Sequence, residues 1–391
     1  MYYFRMQSVP EPGKAEKFLP VELDELAEAL LAGPASELGA DFEQFVHNFL
    51  HDHGAELASE HWKLKRCYRE FNPDRVTVSA RNYTAEERDV LRKRLHPQLI
   101  ELLRQANYVE LTAGEFEEVL NRISPRGLRV TVDLAEFDEL GLHYRGMSTR
   151  VDEMRDWRYL YLKKRQWVTP IYRRLFLFFK YRAGYGGKDD EGRLQSDFWY
   201  LKLFRDVAQS DLEMLLPNTK VKMRVFDKIK LGVTGGGGTI GGVFATASKV
   251  GAAASPTTWA IALAGLAGVI WRQITKLFAT RTRYMADLAQ QLYFCNLDNN
   301  FGALAHIADL AREEETKEAL LAYTFLAASK NGLSQAELDA QVEKFMKDQF
   351  DVTVDFEVDD GVAKLRRLGM LRLEAEGDRL RLNDPLKFAG S

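Results

Sequence analysis

At 391 residues the chain is long enough for two or three domains, and 46% hydrophobic residues supply ample core. A net charge of −3 excludes bulk electrostatic binding of nucleic acid by the chain as a whole. The two cysteines, Cys67 and Cys295, form neither a metal-ligand nor a redox spacing, which excludes a zinc framework and fits a reducing compartment.

The first stretch, MYYFRMQSVPEPGK, lacks the apolar core of a signal peptide and the Arg/Ser-rich character of a transit peptide, so targeting is expected to lie further along. Residues 1–75 read as a helical region. VELDELAEALLAG places Leu23, Leu26, Leu30 and Leu31 at helical spacing and ends at Gly33 and Pro34. ADFEQFVHNFLHDHG is expected as a second helix, residues 56–68 as a third, and Asn72-Pro73 as a turn. His47 and His51 lie four apart on one helical face with Glu43 a turn earlier, a spacing compatible with a divalent metal. The zinc-protease pattern needs Glu directly after the first His, and Asn48 stands there. With His53 and His61 these are read as surface or packing histidines, and no metal or cofactor is assigned.

Residues 76–224 read as α+β. EERDVLRKRLHPQLIELLRQAN and TAGEFEEVLNRI are helices, the second with Thr112 as N-cap and Glu115 as its capping-box partner. GLRVTVDL, LGLHYRGM and TPIYRRLFLFFKYR alternate or carry the β-branched and aromatic residues of strands, whereas KVKMRVFDKIK reads as helical. Residues 155–182 contain nine basic side chains and one acid, Asp156, interleaved with Trp157, Tyr159, Tyr161, Trp167 and Tyr172. Lys163, Lys164, Arg165, Arg173, Arg174, Lys180 and Arg182 form a candidate patch for anionic lipid headgroups. The other readings are a single-stranded nucleic-acid surface, or a solvated strand face paired with acids such as Asp189, Asp190 and Glu191.

The stretch 225–281 organises the rest. Residues 231–248 carry no charge for 18 positions and residues 250–271 none for 22, separated by Lys249. About 20 apolar residues cross a ~30 Å hydrocarbon core, so a transmembrane helical hairpin is expected. Gly232 and Gly236, Gly237 and Gly241, and Gly242 with Gly238 stand at small-xxx-small spacing, and Gly265 and Gly268 lie on the second arm. Trp259 and Trp271 suit the membrane interfaces. Basic residues crowd both flanks (Lys220, Lys222, Arg224, Lys228 and Lys230; Arg272, Lys276, Arg281 and Arg283), which puts both soluble parts on the cytoplasmic or matrix side. A buried helical pair or a Gly-rich loop is the alternative. A Walker loop is excluded, since no Gly-Lys-Ser/Thr closes GVTGGGGT.

Residues 282–391 are expected as a helical and winged-helix-like domain. Residues 282–314 read as one helix and REEETKEALLAYTFLAASKNG as a further amphipathic one. LSQAELDAQVEKFMKDQF opens with Ser334 and Glu337 as a capping box, and a third helix carries Val362, Leu365 and Leu368 on one face. LRLEAEGDRLRL closes the region as a hairpin turning at Gly377-Asp378. Lys364, Arg366 and Arg367 suit a DNA-reading helix, but Asp355, Glu357, Asp359 and Asp360 before it repel phosphate. A protein-interaction or structural role is expected, with no nucleic-acid partner.

Five blocks carry a resemblance: FLPVELDELAEALL, LLRQANYVELTAGEFEEVL, LHYRG, PIYRRLFLFFKYR, and LKLFRDVAQSDLEMLLPNTKVKMRVFDKIKLG. Together they resemble the domain of unknown function 3754 along almost the whole chain, a family that includes the transmembrane protein 143-like proteins of mitochondria and bacterial relatives. Its densest part is residues 204–217, with Asp211, Leu212, Glu213, Leu215, Leu216 and Pro217. The resemblance implies topology and no chemistry.

The expected fold is therefore α+β and mostly helical: a soluble α+β part, a membrane hairpin and a winged-helix-like module. The expected function is a non-enzymatic, membrane-anchored scaffold or adaptor in a bacterial inner or a mitochondrial membrane. Its partners are membrane lipid, anionic headgroups included, and a second copy or another protein. Tyr144 and Arg145 would pack near the headgroups with the basic strand. The alternatives are a conditional pore-former lined by Thr234 and Thr239, an enzyme centred on His47, His51 and His53, and a winged-helix DNA binder using Arg366 and Arg367.

Overall fold

The computed structural model describes residues 9–10, 15–75, 77, 81, 83–112, 114–116, 128–131, 133–155, 164–188, 193, 195–217, 220–223, 293–373 and 379–383. The chain divides into two compact units. The first comprises Met1–Thr112, Ala135–Ala208 and Leu297–Ser391; the second comprises Ala113–Leu134 and Gln209–Asn296.

The first unit is built on an antiparallel hairpin of two long strands, β4 (Phe137–Arg155) and β5 (Lys164–Tyr181), in register from Glu139↔Lys180 to Arg155↔Lys164. β6 (Tyr200–Ala208) pairs with β5, and β8 (Asn296–Asn299) lies beyond it. Two short strands, β1 (Val9–Pro10) and β2 (Val109–Glu110), pair with β4 along its other edge. Alternation of side chains puts Phe176, Phe178, Leu201 and Leu203 on one face. There they share a buried core with Leu95, Leu99, Leu102 and Leu103 of helix α3 (Ala85–Gln105). Thr84 and Glu87 cap α3 reciprocally, a capping box. Gly141 is required in β4: a Cβ there would lie 2.3 Å from the Phe178 ring, which lies across the strand.

A second core is all helix. It gathers Leu26 and Leu30 of α1 (Leu23–Ala32) with Phe42, Phe45 and Phe49 of α2 (Ala40–Tyr68). The rest comes from the C-terminal half of α4 (Asn300–Ala328), from α5 (Gln335–Phe350) and from α6 (Val358–Arg367). Phe45 stacks on Tyr323 with ring centroids 4.1 Å apart. The N-terminal half of α4 belongs to the first core through Ala303, Leu304, Ile307, Ala308 and Ala311. One 29-residue helix thus crosses both cores. Its start is pinned by Asn300, whose Oδ1 accepts the Leu201 N–H at 3.0 Å. β9 (Leu371–Leu373) and β10 (Leu380–Leu382) pair antiparallel after α6, so the helix, helix, helix, two-strand order read from the sequence stands.

The second unit shows β3 (Leu128–Thr131) antiparallel to β7 (Lys220–Met223), and a 3-10 segment, Gln209–Leu215, with Leu212, Leu215 and Leu216 buried.

The fold is mixed α+β as expected, with corrections in detail. The two helices read over residues 40–68 are one, running through Gly54, whose cost of about 1 kcal/mol is outweighed by the burial of α2's apolar face. The segment KVKM, read as helical, is strand β7, where the β-branched Val221 pairs with Val130. Of the helix read over residues 282–314, residues 282–292 lie outside the described residues, Tyr293, Phe294 and Cys295 are helical, and the strand β8 interrupts before α4, which continues unbroken through the charged run that had suggested a new helix. Among the described residues no helix is long and apolar enough to cross a membrane. The hairpin residues Gly232, Gly236, Gly237, Gly241, Gly242, Trp259, Gly265, Gly268 and Trp271 lie outside the described residues.

Candidate functional site

Between its two apolar halves α4 carries the run Glu313, Glu314, Glu315, Thr316, Lys317 and Glu318, and all but Glu313 are buried. Charged groups are almost never fully buried unless paired. Here the partners arrive from four directions. From β4, Arg145 Nη2 donates to Glu314 Oε1 at 2.7 Å. From the segment before α1, the Leu19 N–H donates to Glu314 Oε2 at 3.0 Å, and Lys317 Nζ donates to the Leu19 carbonyl at 3.2 Å. From the turn after α3, Asn107 Nδ2 donates to Glu318 Oε1 at 2.9 Å. From α6, Lys364 pairs with Glu315 at 3.2 Å and with Glu318, while Arg367 reaches Glu315 at 3.9 Å. Lys317 also pairs with Glu313 at 2.7 Å. Four carboxylates and four cations meet at this waist of the first unit, so its charge closes on itself.

Electrostatics follow from burial. Glu318 is pushed up to about 7 by burial, with Lys364 and Asn107 pulling the other way. Burial raises Glu315 as well. At Lys364 burial works against the charge, yet Glu318 and Glu315 outweigh it and hold the ammonium above the usual lysine range. Removing two charges from water costs several kcal/mol per ion, so such pairs stabilise little and instead specify which elements meet.

His53 of α2 belongs to the same neighbourhood. It is buried, stacks on Phe49 at 5.1 Å and has no hydrogen-bond partner for either ring nitrogen among the described residues. Burial, then the charges of Arg367 and Lys364, lower it to about 4, so it is neutral at pH 7. On β4, His143 is likewise buried and lowered to about 4, by burial and then by His96. His96 itself faces Glu139 at 3.4 Å. Beside the waist lies a cavity of about 340 Å³ bounded by Glu16, Phe18, Asn107, Tyr144, Gly146 and Asp355 among others. Gly146, with φ +74°, lets Arg173 cross the strand to Glu16 at 3.1 Å, and Arg145 and Arg173 lie over the Phe18 ring at 4.2 and 5.5 Å.

The residues singled out by sequence fall as follows. His47 and His51 are exposed on α2, and His51 meets Asp52 at 2.8 Å. Among the described residues no group of three His, Cys, Asp or Glu is placed to hold a metal. In the basic stretch, Lys163 lies outside the described residues, as do the side chains of Lys164 and Arg165. Lys180 is buried and paired with Asp138, Arg173 is paired with Glu16, and Arg182 is exposed. Arg174 is half-buried and donates to the Arg173 carbonyl at 2.9 Å. Lys364, read as a candidate base-reader, is turned inward onto α4, and Arg367 follows it.

What the sequence reading missed is the waist. REEETKE read as the start of a further amphipathic helix, and its partners lie as far as 298 positions away. The available signal was an acid-rich run flanked on both sides by apolar helix with no capping residue between.

Residues 172–302 match the family model described as protein of unknown function (DUF3754), and this part of the chain belongs to that family. The match runs from β5 to the start of α4 and contains the whole hairpin region. No solved structure matches the chain.

Proposed function

We propose that this protein is a non-enzymatic, membrane-anchored scaffold or adaptor. The observation that carries the reading is the pair of uncharged runs, 18 and 22 residues long, flanked by basic residues inside the family-matched segment. The buried carboxylates Glu314, Glu315 and Glu318 support it, because they are held in ion pairs with Arg145 of β4 and Lys364 of α6 that join elements. In this reading the hairpin of residues 231–271 tethers the chain and both flanking parts stay on the cytoplasmic or matrix side. The C-terminal α5, α6 and β9–β10 act as a winged-helix-like module that meets protein and not DNA. The likeness to transmembrane protein 143-like proteins belongs to this proposal.

The test is alkaline carbonate extraction of membranes from cells making the full chain, beside a version lacking residues 231–271. Retention of the full chain in the pellet, with release of the deletion, is the expected result. Complete release of the full chain sinks constitutive anchoring. The Gly-rich first arm favours one second reading, conditional insertion as a pore, in which purified protein releases dye from liposomes; a scaffold releases none.

A further inference from the structure

Reading the sheet across its strands places three arginines side by side. Arg145 of β4 is opposite Arg174 of β5, and Arg174 is opposite Arg205 of β6. Directly opposed residues share a face, here the one that carries Phe176 and Leu203 and from which Arg145 reaches Glu314. Carried one residue back, the register Val109↔Tyr144 brings Tyr108 into line beside Arg145. Like charges directly opposite one another destabilise a sheet. Glu314 answers Arg145, but among the described residues no carboxylate lies within ion-pair distance of Arg174, whose one hydrogen bond goes to the Arg173 carbonyl.

Two further donors in this rung are buried without a partner among the described residues: the Tyr108 hydroxyl and Arg145 Nε. Arg145 and Arg174 are the cations whose charge acts on the Tyr108 hydroxyl, which places both near it. Exposure rises along the rung, from buried Arg145 through half-buried Arg174 to exposed Arg205, so the inner donors are approached from the Arg205 end.

We propose that this rung, Arg145, Arg174 and Arg205 with the Tyr108 hydroxyl at its inner end, binds an oxyanion of the phosphate class. Guanidinium forks match phosphate oxygens two at a time. A phosphate monoester carries about −1.5 to −2 near pH 7, which suits two neighbouring guanidiniums, Arg145 and Arg174, that have Glu314 as their one carboxylate among the described residues. The inference does not depend on the hairpin lying in a membrane.

The experiment uses the full chain in mild detergent, titrated with inorganic phosphate against chloride at equal ionic strength, with the thermal midpoint as readout. Phosphate is expected to raise the midpoint, and Arg174→Gln to weaken the phosphate affinity ~10-fold or more. Tyr108→Phe, which keeps the ring and the packing, is expected to weaken it several-fold, while Arg182→Gln, just past the end of β5, leaves it unchanged. No phosphate-specific rise in the unaltered chain, or a rise that survives both Arg174→Gln and Tyr108→Phe, overturns the proposal.

Flotation with phosphatidic acid vesicles beside phosphatidylcholine vesicles separates the two sources of such a group. Arg174-dependent flotation assigns a lipid headgroup. A phosphate effect without it assigns a soluble phosphate ester, and either result upholds the site. Carbonate extraction can fail while phosphate binding stands, so the two readings are separable.

Discussion

At the middle of α4 four cations meet four carboxylates, whereas on the sheet Arg145, Arg174 and Arg205 stand abreast and Arg174 is given no carboxylate by the described residues. Both places take charge out of water. At the waist every ion but Glu313 is oriented by a neighbour on a different element, so the charges specify how α4, α6, β4 and the segment before α1 come together. On the rung Arg174 has no carboxylate and the Tyr108 hydroxyl and Arg145 Nε have no partner among the described residues, the arrangement of a site that is completed from outside. Arg145 belongs to both, one end of its guanidinium on Glu314 and Nε without a partner.

The sharpest way to break the comparison is Lys364→Met. It leaves Glu315 and Glu318 buried without their ammonium, and the expected loss is about 3–5 kcal/mol in chemical denaturation of the full chain. Adding Glu315→Gln and Glu318→Gln to the same chain should recover most of it. A loss below about 1 kcal/mol would mean the waist is solvated and behaves as a surface pair.

Next in size is a pH effect. Glu318 is raised from the ordinary 4.5 to about 7, so its contribution to stability is fully present below 4.5 and is lost as pH rises through 7. His53 is lowered from 6.5 to about 4, so its contribution is present above 6.5 and is lost as pH falls through 4. The two oppose each other between pH 4.5 and 6.5, each worth about 3 kcal/mol. Glu318→Gln should therefore steepen the loss of stability on acidification from pH 6.5, read by denaturation midpoints at a series of pH values. An unchanged profile would place the Glu318 proton elsewhere.

The smallest effect has the opposite sign. Arg174→Gln in chloride buffer removes a like-charge pair on each side and is expected to raise stability by up to about 1 kcal/mol. Destabilisation by that change would show that Arg174 is already paired and the rung is closed like the waist.

Sequence periodicity was sufficient wherever one physical cause dominated. Ser334 and Glu337 marked the start of α5 because a capping box is local. TPIYRRLFLFFKYR read as a strand because its β-branched and aromatic residues suit a pleated surface, and β5 contains all of it but the final Arg182. The waist was illegible for the reason that it works: each buried ion needs a partner, and Glu314 finds its own at positions 19, 107 and 145. The rung was half legible, since Arg174 stood out in a basic stretch, but only register shows that Arg145 and Arg205 flank it and that Lys180 and Arg173 are engaged elsewhere.

The bond from Leu19 to Glu314 joins groups 295 residues apart, and the core of α1 and α2 is closed by α4, α5 and α6. At a synthesis rate of ~5–20 residues per second, the apolar faces of the first two helices wait roughly 15–60 s for the helix that covers them. Any insertion of the intervening hairpin falls within that interval, before the N-terminal helices have a core. Truncation before α4 is therefore expected to leave the apolar faces of α1 and α2 uncovered, read as aggregation or protease sensitivity of the fragment.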